Sequence, residues 1–128
     1  MLIRYLRRMA ENGWFTLNDI DGAQGFGADV YEQCAEFGIF DDDAVFRVAV
    51  LAVADIVGYS PWTDPGDDED GYFDRLCAAY SGSVPPPPIL VVRQLDGTLV
   101  PIDGFHRAHG ANQAGVPGIA AWLAQEQP

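Results

Sequence analysis

The chain has 128 residues, of which 48% are hydrophobic and 12% aromatic, enough for one ordinary domain or a small domain with an appended module. Its net charge is −12 and its seven cations are all arginine, which disfavours wide contact with nucleic-acid phosphates, so nucleic acid is not an expected partner. Without lysine, P-loop, Schiff-base and Ser-x-x-Lys chemistry are excluded. Because neither a secretory signal nor a membrane-spanning run is evident, we expect a cytoplasmic protein with no membrane partner.

The first 45 residues are predicted to form a small helical segment. Apolar residues at helical spacing over 2–9 indicate a short amphipathic helix, which is expected to end near Asn12-Gly13. Thr16–Asp19 has the form of a capping box, so a second helix is expected to start at Leu17. A third helix is predicted over 28–37, with Gly38 suited to the position just after its end.

The next stretch is predicted to be a hairpin, with residues 39–40 as a strand, Asp41–Asp43 as a turn and Ala44–Val53 as the returning strand. Three helices followed by a hairpin resemble a winged helix-turn-helix module over residues 2–50. The third helix of such modules enters the major groove of DNA. Here that helix carries three acids and the wing tip is three aspartates, which would repel phosphates. We therefore expect a protein-contact or packing role for this segment.

The middle of the chain is acidic and then rich in proline. Asp64–Asp70 is predicted to be a solvated loop, and binding of a divalent cation is the more specific alternative. Residues 72–80 have the spacing of an amphipathic helix. Pro85–Pro88 favours an extended polyproline path, either a stiff lead-in to the next strand or a ligand for a protein partner.

The last forty residues are predicted to form a unit of two strands, a helix and a final strand. Residues 89–92 and 99–102 indicate two strands joined by a turn at Asp96-Gly97. An Asp-Gly turn then leads into a helix over 105–113, and residues 119–123 indicate a final strand.

The turn before that helix holds the residues best suited to chemistry. Gly104 permits a backbone conformation closed to other residues and close approach to a ligand. The first amides of a helix have no internal partner and attract anions. Arg107 can add a bidentate phosphate contact and His106 a further donor, while Asp103 can hold a metal or orient His106. Asp103, His106 and His109 also have a spacing that would align three metal ligands, although a surface His109 is the simpler interpretation.

Four stretches together resemble the ParB/sulfiredoxin-like superfamily over about residues 46–124. They are Pro88–Val92, Asp96-Gly97, Ile102–Ala108 and Ala114–Pro117, which match a proline before a strand, a D-G-x-H-R turn, a helix, and a glycine followed by a valine-proline strand. The resemblance implies an α+β protein with a ParB/sulfiredoxin-like mixed α/β domain over residues 46–128, preceded by the winged-helix-like segment 1–45.

The same resemblance implies a bound nucleotide, ATP or another, with Mg²⁺. Its phosphates would lie on Gly104, Phe105, His106 and Arg107, and Asp103 would help to hold the metal. Sulfiredoxins have a cysteine where this chain has Phe105, so their chemistry is not carried over. The turn is closest to that of free serine kinases, in which an acid near the first strand acts as base. His106 and Asp64 are the corresponding catalytic candidates.

Three functions remain open at this point. The first is an ATP- or ADP-dependent kinase or an NTPase acting on a small-molecule acceptor. The second is a non-catalytic nucleotide-binding or protein-interaction module with a regulatory role. The third is a DNA-partition or nuclease-like protein, which the acidity of the chain opposes.

Overall fold

The computed structural model describes residues 13–57, 79 and 87–128. The elements in chain order are α1 (Leu17–Gln24), α2 (Ala28–Glu36), β1 (Arg47–Ala52), α3 (Val53–Val57), β2 (Ile89–Arg93), β3 (Leu99–Asp103), α4 (Phe105–Gln113) and β4 (Gly118–Gln125). The helix predicted over 2–9, the acidic loop 64–70, most of the helix predicted over 72–80 and the first prolines of Pro85–Pro88 lie outside the described residues.

Helix α1 begins where its capping box predicted. The Thr16 hydroxyl accepts from the Asp19 amide at 3.0 Å, and the Asp19 carboxylate accepts from the Thr16 amide at 3.0 Å. These reciprocal bonds satisfy two backbone donors that a helix start otherwise leaves without partners. The third predicted helix is also confirmed, and Gly38 follows its end with a φ of +75°.

The prediction of a hairpin directly after α2 is wrong. Ile39 and Phe40 form no strand, and the Phe40 amide donates to the Asp43 carboxylate at 2.7 Å within a local turn. Strand β1 pairs instead with β4 in antiparallel register, with Arg47 opposite Leu123 and Ala52 opposite Gly118. The apolar run after the aspartates therefore finds its partner near the C-terminus, and the wing of the winged-helix interpretation is absent from residues 39–53.

The four strands form one mixed sheet in the order β1-β4-β2-β3. Strand β4 is antiparallel to β1 and parallel to β2, and β2 is antiparallel to β3. The predicted turn between β2 and β3 is confirmed, since Gly97 has a φ of +91° and the Gln94 amide donates to the Thr98 carbonyl at 2.7 Å. Helices with a mixed sheet confirm the α+β class.

Helices cover both faces of the sheet. On one face, side chains of α1 and α2 such as Ile20 and Cys34 share a buried cluster with Val92 and Trp122 of the sheet. On the other face, α3 and α4 contribute to a second cluster with alternate residues of β1, β2 and β4. Residues 13–45 therefore share a core with the sheet. No helix in the described ranges combines the length and apolar character needed to cross a bilayer.

A tyrosine holds the first two helices together. The Tyr31 hydroxyl donates to the Asp21 carboxylate at 2.5 Å, and the other oxygen of Asp21 accepts from the Phe26 amide at 2.6 Å. Desolvation by burial, the bond to Asp21 and the negative charges of Asp21 and Asp41 raise the pKa of Tyr31 from 10.0 to about 12.

The raised pKa of Tyr31 predicts a loss of stability at high pH. The folded state holds the phenol proton more tightly than the unfolded chain, so the contribution of Tyr31 is fully present below pH 10 and is lost as the pH rises towards 12. We expect the difference in unfolding free energy between the wild type and Tyr31→Phe to fall over this interval in urea titrations. In the Asp21→Asn background, which lacks the partner charge, that fall should be smaller and should end at a lower pH. Parallel pH curves for wild type and Tyr31→Phe would contradict this account.

Candidate functional site

The turn between β3 and α4 has the special backbone that its glycine predicted. Strand β3 ends at Asp103, α4 begins at Phe105, and Gly104 between them has φ +104° and ψ 27°. A Cβ atom at Gly104 would lie only 2.8 Å from Cβ of Ile89 and would also overlap its Cγ2 methyl group. Glycine is therefore required here both by the left-handed conformation and by the contact with the first residue of β2.

The start of α4 carries no side-chain cap. The Ala108 amide donates to the Gly104 carbonyl at 3.0 Å, which is the first bond of the helix ladder. The amides of residues 105–107 precede that bond, and such first-turn amides together with the helix dipole form a region of positive potential. Phe105 and Arg107 are half-buried, so the turn is partly open to solvent.

Arg107 is held in place by three contacts. Its Nη1 atom donates to the carbonyls of Pro87 and Pro88, each at 3.0 Å, and its Nη2 atom lies 3.1 Å from Oδ2 of Asp103. The arginine side chain is only 14% exposed, whereas that of Asp103 is 40% exposed. A guanidinium group has five N–H donors, and these three contacts use three of them and fix the side chain.

Asp103 contacts Arg107 through one carboxylate oxygen. The sequence predicted this residue as a metal ligand or as a partner that orients His106. Within the described ranges no three His, Cys, Asp or Glu side chains are grouped so that they would hold a metal ion. The ion pair of Asp103 with Arg107 therefore links the end of β3 to the first turn of α4.

The structure brings Asp103, Gly104, Phe105 and Arg107 together in one turn. His106 lies in the same first helical turn, but its side chain is outside the described part of the chain, as is the whole of Asp64. Their predicted catalytic roles stay predictions.

Two partners of this turn were not predicted from the sequence, namely Ile89 beside Gly104 and the proline carbonyls that accept from Arg107. A signal for the second was present. Residues in a polyproline path make no internal hydrogen bonds, so the carbonyls of Pro87 and Pro88 were acceptors without a local partner. The packing of Ile89 under the turn depends on the pairing of β2 with β3, which no local pattern specifies.

Comparison with known proteins gives no match, whether against family models, curated proteins or solved structures. The resemblance to the ParB/sulfiredoxin-like superfamily therefore stays a prediction that rests on the residues of the turn and its flanking strands.

The contact between Gly104 and Ile89 predicts a strong effect of one methyl group. Gly104→Ala should lower the free energy of unfolding by about 2 kcal/mol or more, because left-handed strain and overpacking add. The matched control is Gly115→Ala, since Gly115 also has a positive φ of +76° but a Cβ atom added there would meet nothing within 4 Å. It should cost about 1 kcal/mol, by urea denaturation. Equal costs for the two substitutions would show that the contact with Ile89 contributes nothing.

Proposed function

We propose that this protein binds a nucleotide, ATP or a relative, with its phosphates at the start of α4. The observation that carries the proposal is an uncapped helix start placed directly behind a left-handed glycine. Backbone amides in that position and the positive end of the helix dipole favour phosphate oxygens. In a chain of net charge −12, such a fixed positive region is a local exception to a field that repels anions.

Arg107 supports the same proposal as a positioned cation. Its contacts with Pro87, Pro88 and Asp103 remove most of its rotamer freedom before any ligand arrives. A guanidinium group ordered in advance loses less entropy on binding phosphate than a mobile one does. Phe105 and His106 would complete the cradle with their backbone amides, and His106 would add a side-chain donor.

Phosphoryl transfer to a small molecule, or NTP hydrolysis, is the activity that we propose for this site. Such reactions depend mostly on positioning and on neutralising charge, so a small set of groups suffices. Mg²⁺ would neutralise charge on the phosphates, with the Asp103 oxygen that does not face Arg107 as a ligand. Asp64 would orient or deprotonate the acceptor, and His106 would assist at the phosphates.

A non-catalytic nucleotide-binding module is the second candidate function. The ion pair between Asp103 and Arg107 favours it, because a carboxylate that neutralises the site's arginine is a weaker ligand for Mg²⁺. In this alternative the nucleotide would regulate contact with a protein partner. Incubation with ATP, CTP and ADP plus Mg²⁺, with and without serine, separates the two. Turnover supports the enzyme, and a ligand-induced rise in melting temperature without turnover supports the module.

Calorimetric titration with the same nucleotides and Mg²⁺ tests the binding itself. We expect saturable binding to the wild type and at least an approximately tenfold weaker Kd for Arg107→Ala, because a charge-assisted bond contributes about 1.5–3 kcal/mol. The titration should be run well below the melting temperature of the variant, which also loses the contacts to Pro87 and Pro88.

Asp103→Asn provides the matched control, since it keeps the shape of the side chain and removes its charge. Without Mg²⁺ it should bind nucleotide at least as tightly as the wild type, because a negative charge beside the phosphates is gone. No binding to the wild type by any of the three nucleotides, or an unchanged Kd for Arg107→Ala, would contradict the proposal.

A further inference from the structure

A cavity lies at the opposite end of the sheet from the Gly104 turn. It has a volume of about 480 Å³, and Trp14, Arg47, Arg93 and Gln125 are among the residues that line it. Arg93 is the last residue of β2, whereas Ile89 at the first residue contacts the Gly104 turn. Four residues of extended strand separate these two positions by roughly 13 Å, so the cavity is distinct from the proposed nucleotide site.

The sheet brings the two arginines to this cavity from either side of β4. Arg47 is opposite Leu123 on one edge of that strand, and Arg93 is opposite Gln125 on the other. Ile89 and Val91 precede Arg93 at alternate positions and belong to the buried cluster that also contains Leu123. Because side chains alternate along strands, both arginines lie on the same face. Their backbones are roughly 12 Å apart, which combines two strand spacings across the sheet with two residues along β4.

Neither arginine forms an ion pair with a described acid, although Arg93 also lines a neighbouring cavity together with Asp55. The ion pair found among the described residues joins Arg107 to Asp103, and no described carboxylate forms one with Arg47 or Arg93. Glu126, next to Arg93's strand partner, instead accepts a hydrogen bond from the Leu95 amide at 2.9 Å. In so acidic a chain, two guanidinium groups in one concavity without a carboxylate partner are an arrangement suited to an external anion.

Trp14 both holds one arginine and offers a surface to a ligand. The Arg47 guanidinium carbon lies 5.8 Å from the centre of the Trp14 ring, a cation-π distance. The tryptophan is nevertheless 52% exposed, which is unusual for so large an apolar side chain. Its ring is therefore available for contact with the apolar body of a small molecule.

We propose that this cavity binds a small organic anion through its carboxylate or phosphate group. Arg47 and Arg93 would contact the oxyanion from opposite sides, and Trp14 would contact the rest of the molecule. The volume falls within the range of about 300–1,000 Å³ that is typical of small-ligand sites. The cavity is lined by no residue of the Gly104 turn, so this proposal does not depend on the proposed nucleotide site.

Proton–nitrogen correlation NMR on the full chain tests this site. The probes are inorganic phosphate and benzoate, each titrated at constant ionic strength against sodium chloride. We expect saturable shifts of the Trp14 indole N–H and of the Nε–H signals of Arg47 and Arg93, with the indole assigned through Trp14→Phe. A response to phosphate alone identifies a phosphate site, and a tighter response to benzoate identifies a carboxylate with a planar body.

Two variants and a charge-matched control complete the experiment. Arg47→Gln and Arg93→Gln should each weaken binding of the responding probe at least about tenfold. Gln113→Glu changes the net charge by the same amount at an exposed residue that does not line the cavity, and should leave the affinity within about twofold. If either arginine variant unfolds, the presence or absence of saturable shifts in the wild type still tests whether the cavity binds the probe. Unsaturable shifts, shifts away from Trp14 and both arginines, or equal weakening by Gln113→Glu would overturn the proposal.

Discussion

The contact between the Gly104 backbone and the Ile89 side chain sets the geometry of the C-terminal half of this protein. A Cβ atom at Gly104 would lie 2.8 Å from the Cβ atom of Ile89. The backbone between β3 and α4 therefore packs so closely against β2 that no side chain fits between them. That closeness places Ala108 and Ala111 of α4 against the sheet, where both are fully buried. It also leaves the first-turn amides of α4 at the end of the sheet, where no described side chain caps them.

The two groups of arginines differ in how their charge is used. Arg107 is anchored by proline carbonyls and by Asp103, so its charge serves the turn as well as any ligand. Arg47 and Arg93 have no carboxylate partner among the described residues, and one of them rests on Trp14. An acidic chain thus keeps its described cations at two ends of one sheet, where each group makes the negative field of the chain weaker locally.

Local features of the fold were predictable from the sequence, and non-local pairings were not. The capping box at Thr16 and the turn at Asp96-Gly97 involve residues within a few positions of each other, so their chemistry is visible in the sequence. The special conformation of Gly104 was predictable for the same reason. The run Ala44–Val53 was correctly predicted to contain a strand, but its hydrophobic pattern cannot distinguish a neighbouring partner from β4, some seventy residues later.

The candidate site follows the same division. The Asp-Gly turn and the helix after it were predicted with the correct bounds for Phe105–Gln113, because glycine and helical spacing are local signals. The anchoring of Arg107 by Pro87 and Pro88, and the placement of Arg47 and Arg93 around one cavity, depend on the order of the strands in the sheet. Residues far apart in sequence become neighbours through the sheet, and no spacing rule within one segment reveals them.

Mapping of backbone amide shifts on adding a nucleotide tests most directly whether the start of α4 binds phosphate. We expect ATP with Mg²⁺ to move the amide signals of Gly104, Phe105, His106 and Arg107 more than any others. A nucleotide that binds while these four signals stay in place, with the largest changes elsewhere in the chain, would contradict it.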